Sequence, residues 1–173
     1  MILVLTGPPG AGKSTIGRRV AEGFERSAHL HTDDFYAWLV SGYVEPWKPG
    51  SQAQNATVVD AIVAAARAFE AGGYDVVVDG IVGPWFLEPF GEVDYCVLLP
   101  SAAAAHARAA ARVGHSLPDL AIVGQMHDTF TAHLDGFGRH VVDTTDLTVD
   151  ETVDEVRRRL ASGDLRLDGG RRA

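Results

Sequence analysis

The sequence predicts a three-layer α/β/α domain, in which a five-stranded parallel sheet carries helices on both faces. Two observations predict it. Short apolar runs alternate with longer stretches of helical periodicity, the pattern of parallel strands joined by crossover helices. A glycine-rich turn also stands directly between the first apolar run and the first helical stretch. A length of 173 residues suits one domain with a substantial core.

The elements follow in order. Ile2–Leu5 is the first strand, and Ile16, Val20 and Phe24 mark one face of the helix after the glycine turn. His29–Thr32 reads as a weaker second strand. Ser41–Gln52, rich in Gly and Pro, is a loop. In Gln54–Ala71, Val59, Ile62, Val63, Ala66 and Phe69 share one helical face. Val76–Val78 is the third strand and ends at Asp79; Tyr95–Leu99 is the fourth. Alanine-rich Ala102–Ala111 suits a helix. Leu120, Val123, His127, Phe130 and Leu134 mark a helix over Pro118–Leu134, and Arg139–Val142 is the fifth strand. Thr148 followed by Glu151 is a capping box that opens a last helix through about Leu160. The organisation expected is one domain over 1–162 and a polar, basic tail over 163–173 that frays.

Composition narrows the function classes. A hydrophobic fraction of 46% and a charged fraction of 22% are those of a soluble globular protein. A net charge of −8 argues against nucleic acid as partner, because phosphate-backbone binding needs a basic face. No apolar stretch is long enough to span a bilayer, and Met1–Leu5 is too short for a secretory signal, so no membrane partner and a cytoplasmic location are expected. The single cysteine, Cys96, lies in an apolar run and reads as a buried hydrophobe. The seven histidines are scattered without ligand spacing.

Gly7-Pro8-Pro9-Gly10-Ala11-Gly12-Lys13-Ser14 matches G-x-x-x-x-G-K-[ST] in full. Glycines let the backbone curl so that successive N–H groups face phosphate oxygens, and the helix that follows adds the positive end of its dipole. Lys13 reaches the β- and γ-phosphates and Ser14 offers its hydroxyl to Mg²⁺. With Thr15, these residues form the candidate binding site for ATP or GTP.

Carboxylates and arginines stand at the positions where such a sheet binds ligands. Asp79, ending an apolar strand, suits a water-mediated Mg²⁺ ligand; a strand-end turn cap is the alternative. Asp33 and Asp34 follow the second strand. Asp33 is the first choice for a group that orients an acceptor hydroxyl and takes its proton, whereas Asp34 suits a cap for a helix near Phe35; capping alone could also explain both. Arg108 and Arg112 share a helix face and could clamp phosphates, or form an ordinary solvated face.

Together these residues resemble the small P-loop kinases, among them shikimate, gluconate and nucleoside monophosphate kinases. The likeness is strongest to chloramphenicol phosphotransferase-like, AAA_33-type kinases, and it runs from Ile2 to about Leu160. It implies strand order 2-3-1-4-5, a helical lid over ATP, Mg²⁺ as cofactor and an alcohol as phosphate acceptor. It also implies that Asp33 is the catalytic carboxylate, Lys13 the phosphate-binding lysine, Ser14 the metal-binding hydroxyl, and Arg108 and Arg112 the lid arginines. Val142–Thr145 would run beside the adenine, with Thr145 at the nucleotide. One departure is Gly114-His115-Ser116, where a further basic lid residue often stands.

The acceptor side is poor in positive charge. Between Asp33 and Ala107 the only lysine or arginine residues are Lys48 and Arg67. An anionic acceptor needs arginines to neutralise it. Aromatic residues are present instead: Phe35, Tyr36, Trp38, Tyr43 and Trp47 before the third helix, and Trp85, Phe86 and Phe90 after the third strand. Asp33, Trp38, Trp47, Asp79 and Trp85 are the candidate acceptor residues. Core packing accounts for most of the other aromatics; Trp38 and Trp47 are the expected exceptions. The leading expectation is a phosphotransferase acting on a small non-anionic molecule. The alternatives are a nucleotide or sugar-acid kinase and, in another class, a nucleotide-binding switch with slow hydrolysis. The oligomeric state is left open.

Overall fold

In a computed structural model, residues 1–111 and 120–167 are described. Strands β1 (Ile2–Thr6), β2 (Ser27–His31), β3 (Asp75–Asp79), β4 (Val93–Leu98) and β5 (Val141–Val142) form a parallel sheet in the order β2-β3-β1-β4-β5. Helices α1 (Lys13–Ala21), α2 (Thr32–Ala37), α3 (Gln52–Ala71), α4 (Ala102–Ala110), α5 (Leu120–Ala132) and α6 (Val149–Ser162) surround it.

Alternation along the strands divides the core. Ile2, Val4, Val76, Val78, Tyr95 and Val97 pack with Val58, Val59, Ile62 and Ala66 of α3 and Phe130 of α5. Leu3, Leu5, Val77, Cys96 and Leu98 face the other way, onto Ile16 and Val20 of α1 and Val153 and Val156 of α6. Because both faces are covered, the central strands read as continuous apolar runs. Cys96 is fully buried, and burial pushes its thiol up to about 12, so it is a core residue and not a nucleophile. Among the described residues, no helix is long and apolar enough to cross a membrane.

Several boundaries differ from expectation for local reasons. The second strand ends at His31, and Thr32, expected in the strand, opens α2. Asp34 therefore lies inside the first turn of α2, and no side-chain cap hydrogen bond is made there. The expected strand over 139–142 shortens to Val141–Val142 because Gly138–His140 forms a 3-10 turn; buried His140 puts its ring Nδ1 3.1 Å from the Tyr95 carbonyl. The capping box at Thr148 and Glu151 is present, as expected. The expected helix start at Pro118 lies outside the described residues.

Within the segment 163–173, expected to fray, the described residues include a sixth strand, β6 (Arg166–Leu167), antiparallel to β4. Leu165 drives this, being fully buried between β4 and the core of the α1/α6 face. Leu165→Ala should lower unfolding stability by about 2–4 kcal/mol in urea titration, the cost of truncating a fully buried leucine. A change below about 0.5 kcal/mol would mean the segment is not packed as described.

Candidate active site

The loop between β1 and α1 curls because its glycines allow it. Gly10 has φ 83° and Gly12 φ 88°, both left-handed. The loop also presses on its neighbours: a Cβ at Gly10 would lie 2.2 Å from the Ala105 carbonyl oxygen of α4. Lys13 Nζ donates to the Pro8 carbonyl at 3.1 Å, so the ammonium arches back over the loop's own concavity. Gly7, Pro8, Gly10 and Ala11 are buried, Pro9, Gly12, Lys13 and Ser14 half-buried, and Thr15 exposed at the first turn of α1.

Beside this loop, the ends of β2 and β3 bring acids and imidazoles together. The parallel register sets His31 opposite Asp79. Asp79 is fully buried. His31 Nδ1 lies 2.7 Å from Asp79 Oδ1, and its Nε2 lies 3.4 Å from Asp33 Oδ2. His29 Nε2 is 3.2 Å from the same Asp79 oxygen, but outside hydrogen-bonding geometry. The Thr32 side chain of α2 packs directly on Gly80, just after β3: a Cβ there would lie 1.8 Å from Thr32 Oγ1.

The charges in this cluster reinforce one another. Asp33, then Asp79, hold the His31 imidazole up at about 10, against a usual value of 6.5. Its partner Asp33 is lowered, first by His31, with Lys13 contributing through space. Burial works to raise Asp79, but His29, His31 and Ser14 together hold it well below the usual carboxylate range. The linkage follows from these directions. The His31 contribution to stability is complete below about pH 6.5 and is lost as pH rises toward 10. Thermal stability in EDTA should therefore fall over that range, and the fall should be shallower in His31→Gln. Parallel pH profiles for the two proteins would contradict this.

The donor set fits Mg²⁺. Asp79 Oδ2 is buried without a hydrogen-bond partner, and Ser14 acts on the same carboxylate. A buried carboxylate oxygen with no donor is costly unless something else satisfies it, and a hydrated cation would.

Arg108 is half-buried on α4 and donates to the Thr144 carbonyl at 2.7 Å and the Thr145 carbonyl at 3.1 Å. It thus fastens α4 to the loop after β5. Thr145 also accepts from the Ser101 N–H at 2.8 Å. Arg112 and His115 lie outside the described residues.

On the acceptor side all three tryptophans are exposed: Trp38 68%, Trp47 46% and Trp85 43%. Trp85, expected to be less open than Trp38 and Trp47, packs its ring against Phe130 of α5 and His133 just after it. Sequence reasoning missed what holds the Ser41–Gln52 loop. Gln54 bonds both the N–H and the carbonyl of Val44, at 2.8 and 2.6 Å. Buried Asn55 donates to the Pro46 carbonyl at 2.9 Å and accepts from the Tyr36 hydroxyl at 3.2 Å, tying the loop to α2. Both basic residues of this region are engaged: Lys48 pairs with Glu45, and Arg67 binds Glu70 and the carbonyls of Phe90 and Glu92.

No family model and no curated protein matches the chain. Solved structures do. A sugar kinase from Janibacter sp. HTCC2649 is 16% identical with a TM-score of 0.73, covering 92% of this chain and 94% of that one. A gluconokinase from Sinorhizobium meliloti 1021 is 21% identical with a TM-score of 0.70, covering 94% and 92%. The tunicamycin resistance protein of Deinococcus radiodurans is 17% identical with a TM-score of 0.65, covering 92% and 94%. At these identities the likeness establishes the fold, which is that of P-loop small-molecule kinases, with the expected strand order.

Proposed function

We propose that the chain is an ATP-dependent phosphotransferase that moves the γ-phosphate to a hydroxyl of a small, non-anionic molecule, antibiotic- or nucleoside-like. One observation carries this reading: His31 joins exposed Asp33 to buried Asp79 at the end of β3, beside the strand β1 whose end carries the glycine loop. The loop and a metal site hold and neutralise the phosphates; a further carboxylate beside them is what takes the proton of the attacking O–H, that of an acceptor or, without one, of water.

In this reading Lys13 leaves the Pro8 carbonyl and binds the β- and γ-phosphates, while loop N–H groups hold their oxygens. Ser14, and Asp79 through water, would hold Mg²⁺, which would supply neutralisation of phosphate charge. Asp33 accepts the proton of the acceptor O–H as its oxygen bonds to the γ-phosphorus and the bond to the ADP oxygen breaks. Ionisation of Asp33, favoured by His31, readies it as a base. Trp38, Trp47 and Trp85 offer ring faces to the acceptor. The prior engagement of Lys48 and Arg67 supports an acceptor without negative charge. Arg108 steadies the loop at Thr144 and Thr145, the side assigned to adenine; Arg112 is proposed as the second lid arginine.

Coupled ADP-release assays should find neutral or cationic hydroxyl compounds that raise turnover above ATP hydrolysis in water. Gluconate, shikimate and nucleoside monophosphates should not. Stimulation by the anionic set alone would overturn the acceptor class, and stimulation by neither would overturn transfer itself.

A further inference from the structure

His31 belongs to no motif of the phosphate loop, yet it touches both acids of the site. Its position is set from below. The parallel pairing of β2 with β3 puts residue 31 opposite residue 79. Asp79, fully buried, offers the ring a fixed partner at 2.7 Å from Nδ1. The other edge of the ring, Nε2, then faces Asp33 Oδ2 at 3.4 Å. Among the described residues Asp33 has little else to fix it: its side chain is 78% exposed, on the first turn of a six-residue helix. A short exposed carboxylate would otherwise exchange rotamers freely. Transfer needs it in one orientation, because an error of about 1 Å in a reacting group can cost ~100-fold in rate.

We propose that His31 is a positioning residue whose Nε2 edge holds the Asp33 carboxylate toward the acceptor hydroxyl, while its Nδ1 edge is anchored on Asp79. The proposal rests on the reading of Asp33 as the base. It separates two jobs of one ring, and the two amide side chains can copy them one at a time. Asparagine reproduces the position of Nδ1 and so keeps the anchor on Asp79. Glutamine reaches to the position of Nε2 and so keeps the contact with Asp33.

The test measures ATP hydrolysis in the full chain with Mg²⁺, water standing in for the acceptor, alongside thermal melts. His31→Asn should lower kcat by ~10-fold or more with KM for ATP unchanged, and His31→Gln should stay within ~3-fold of the native rate. A ring that served only as an anchor for the strand ends would give the reverse order. The proposal is overturned if His31→Asn keeps the native rate or exceeds His31→Gln. Failure of either variant to melt cooperatively assigns the ring to the fold, and likewise overturns it. Asp33→Asn, run in parallel, separates the two levels. If it is slow while His31→Asn is native-like, only the role of His31 falls. If it hydrolyses ATP at the native rate, the base assignment falls and the positioning role with it.

Discussion

Asp33→Asn should lower phosphate transfer to a hydroxyl acceptor by ~10²- to 10⁴-fold while ATP binding stays intact. The amide keeps the size of the carboxylate and can still orient a hydroxyl, but it cannot take the proton. The position explains why nucleotide affinity should survive. Asp33 sits on α2, on the far side of His31 from Asp79, and its close side-chain partner is His31. Removing its negative charge near Lys13 should, if anything, help an anionic nucleotide. Initial rates with an acceptor, together with an ATP dissociation constant by calorimetry, check the split. Lost affinity with a native rate would make Asp33 a nucleotide-site residue and not the base. A switch protein with slow hydrolysis makes the opposite demand, because its effect should be indifferent to Asp33 and sensitive to Lys13.

Gly10→Ala should abolish nucleotide binding. The residue is left-handed, at φ 83°, where a side chain is strained. The added methyl would also lie 2.2 Å from the Ala105 carbonyl oxygen and 2.9 Å from its carbon. Both are backbone atoms of α4, so no rotamer change relieves them. Either the loop or α4 must shift, and the N–H groups that face the phosphates shift with it. The expected cost in the free protein is about 1–3 kcal/mol. The larger effect is on binding. ATP at a hundred times its dissociation constant should stabilise the native chain by about 2.7 kcal/mol, and Gly10→Ala should show no such rise in melting temperature. An undiminished rise would mean that loop and α4 are not in the contact described.

Legibility followed the backbone. The glycine loop could be read because its curvature permits few residue types, and the central strands because burial on both faces leaves unbroken apolar runs. That Asp79 and Asp33 would lie near each other could be read because a parallel sheet gathers the ends of its strands on one side. What sequence left hidden depends on side chains that meet only in space. His31 looked like one of seven scattered histidines, since its partners lie two residues and 48 residues away. Strand β6 is two residues long with an arginine in it, and only the burial of Leu165 marks the segment as part of the core. Gln54 and Asn55 read as polar helix residues, yet they hold the loop that carries Trp47. Arg108 stands out in sequence by its charge and its spacing from Arg112, whereas its hydrogen bonds to the carbonyls of Thr144 and Thr145 leave no mark in spacing.

The central claim is that the γ-phosphate leaves ATP for an organic hydroxyl. The most direct measurement compares ADP formed with inorganic phosphate released in the same reaction, across a panel of neutral hydroxyl compounds. The account predicts an excess of ADP over phosphate with at least one compound, matched by a new phosphomonoester signal in ³¹P NMR. Equal amounts of ADP and inorganic phosphate with every compound would contradict it, and would leave the loop at Gly7–Ser14 serving hydrolysis alone.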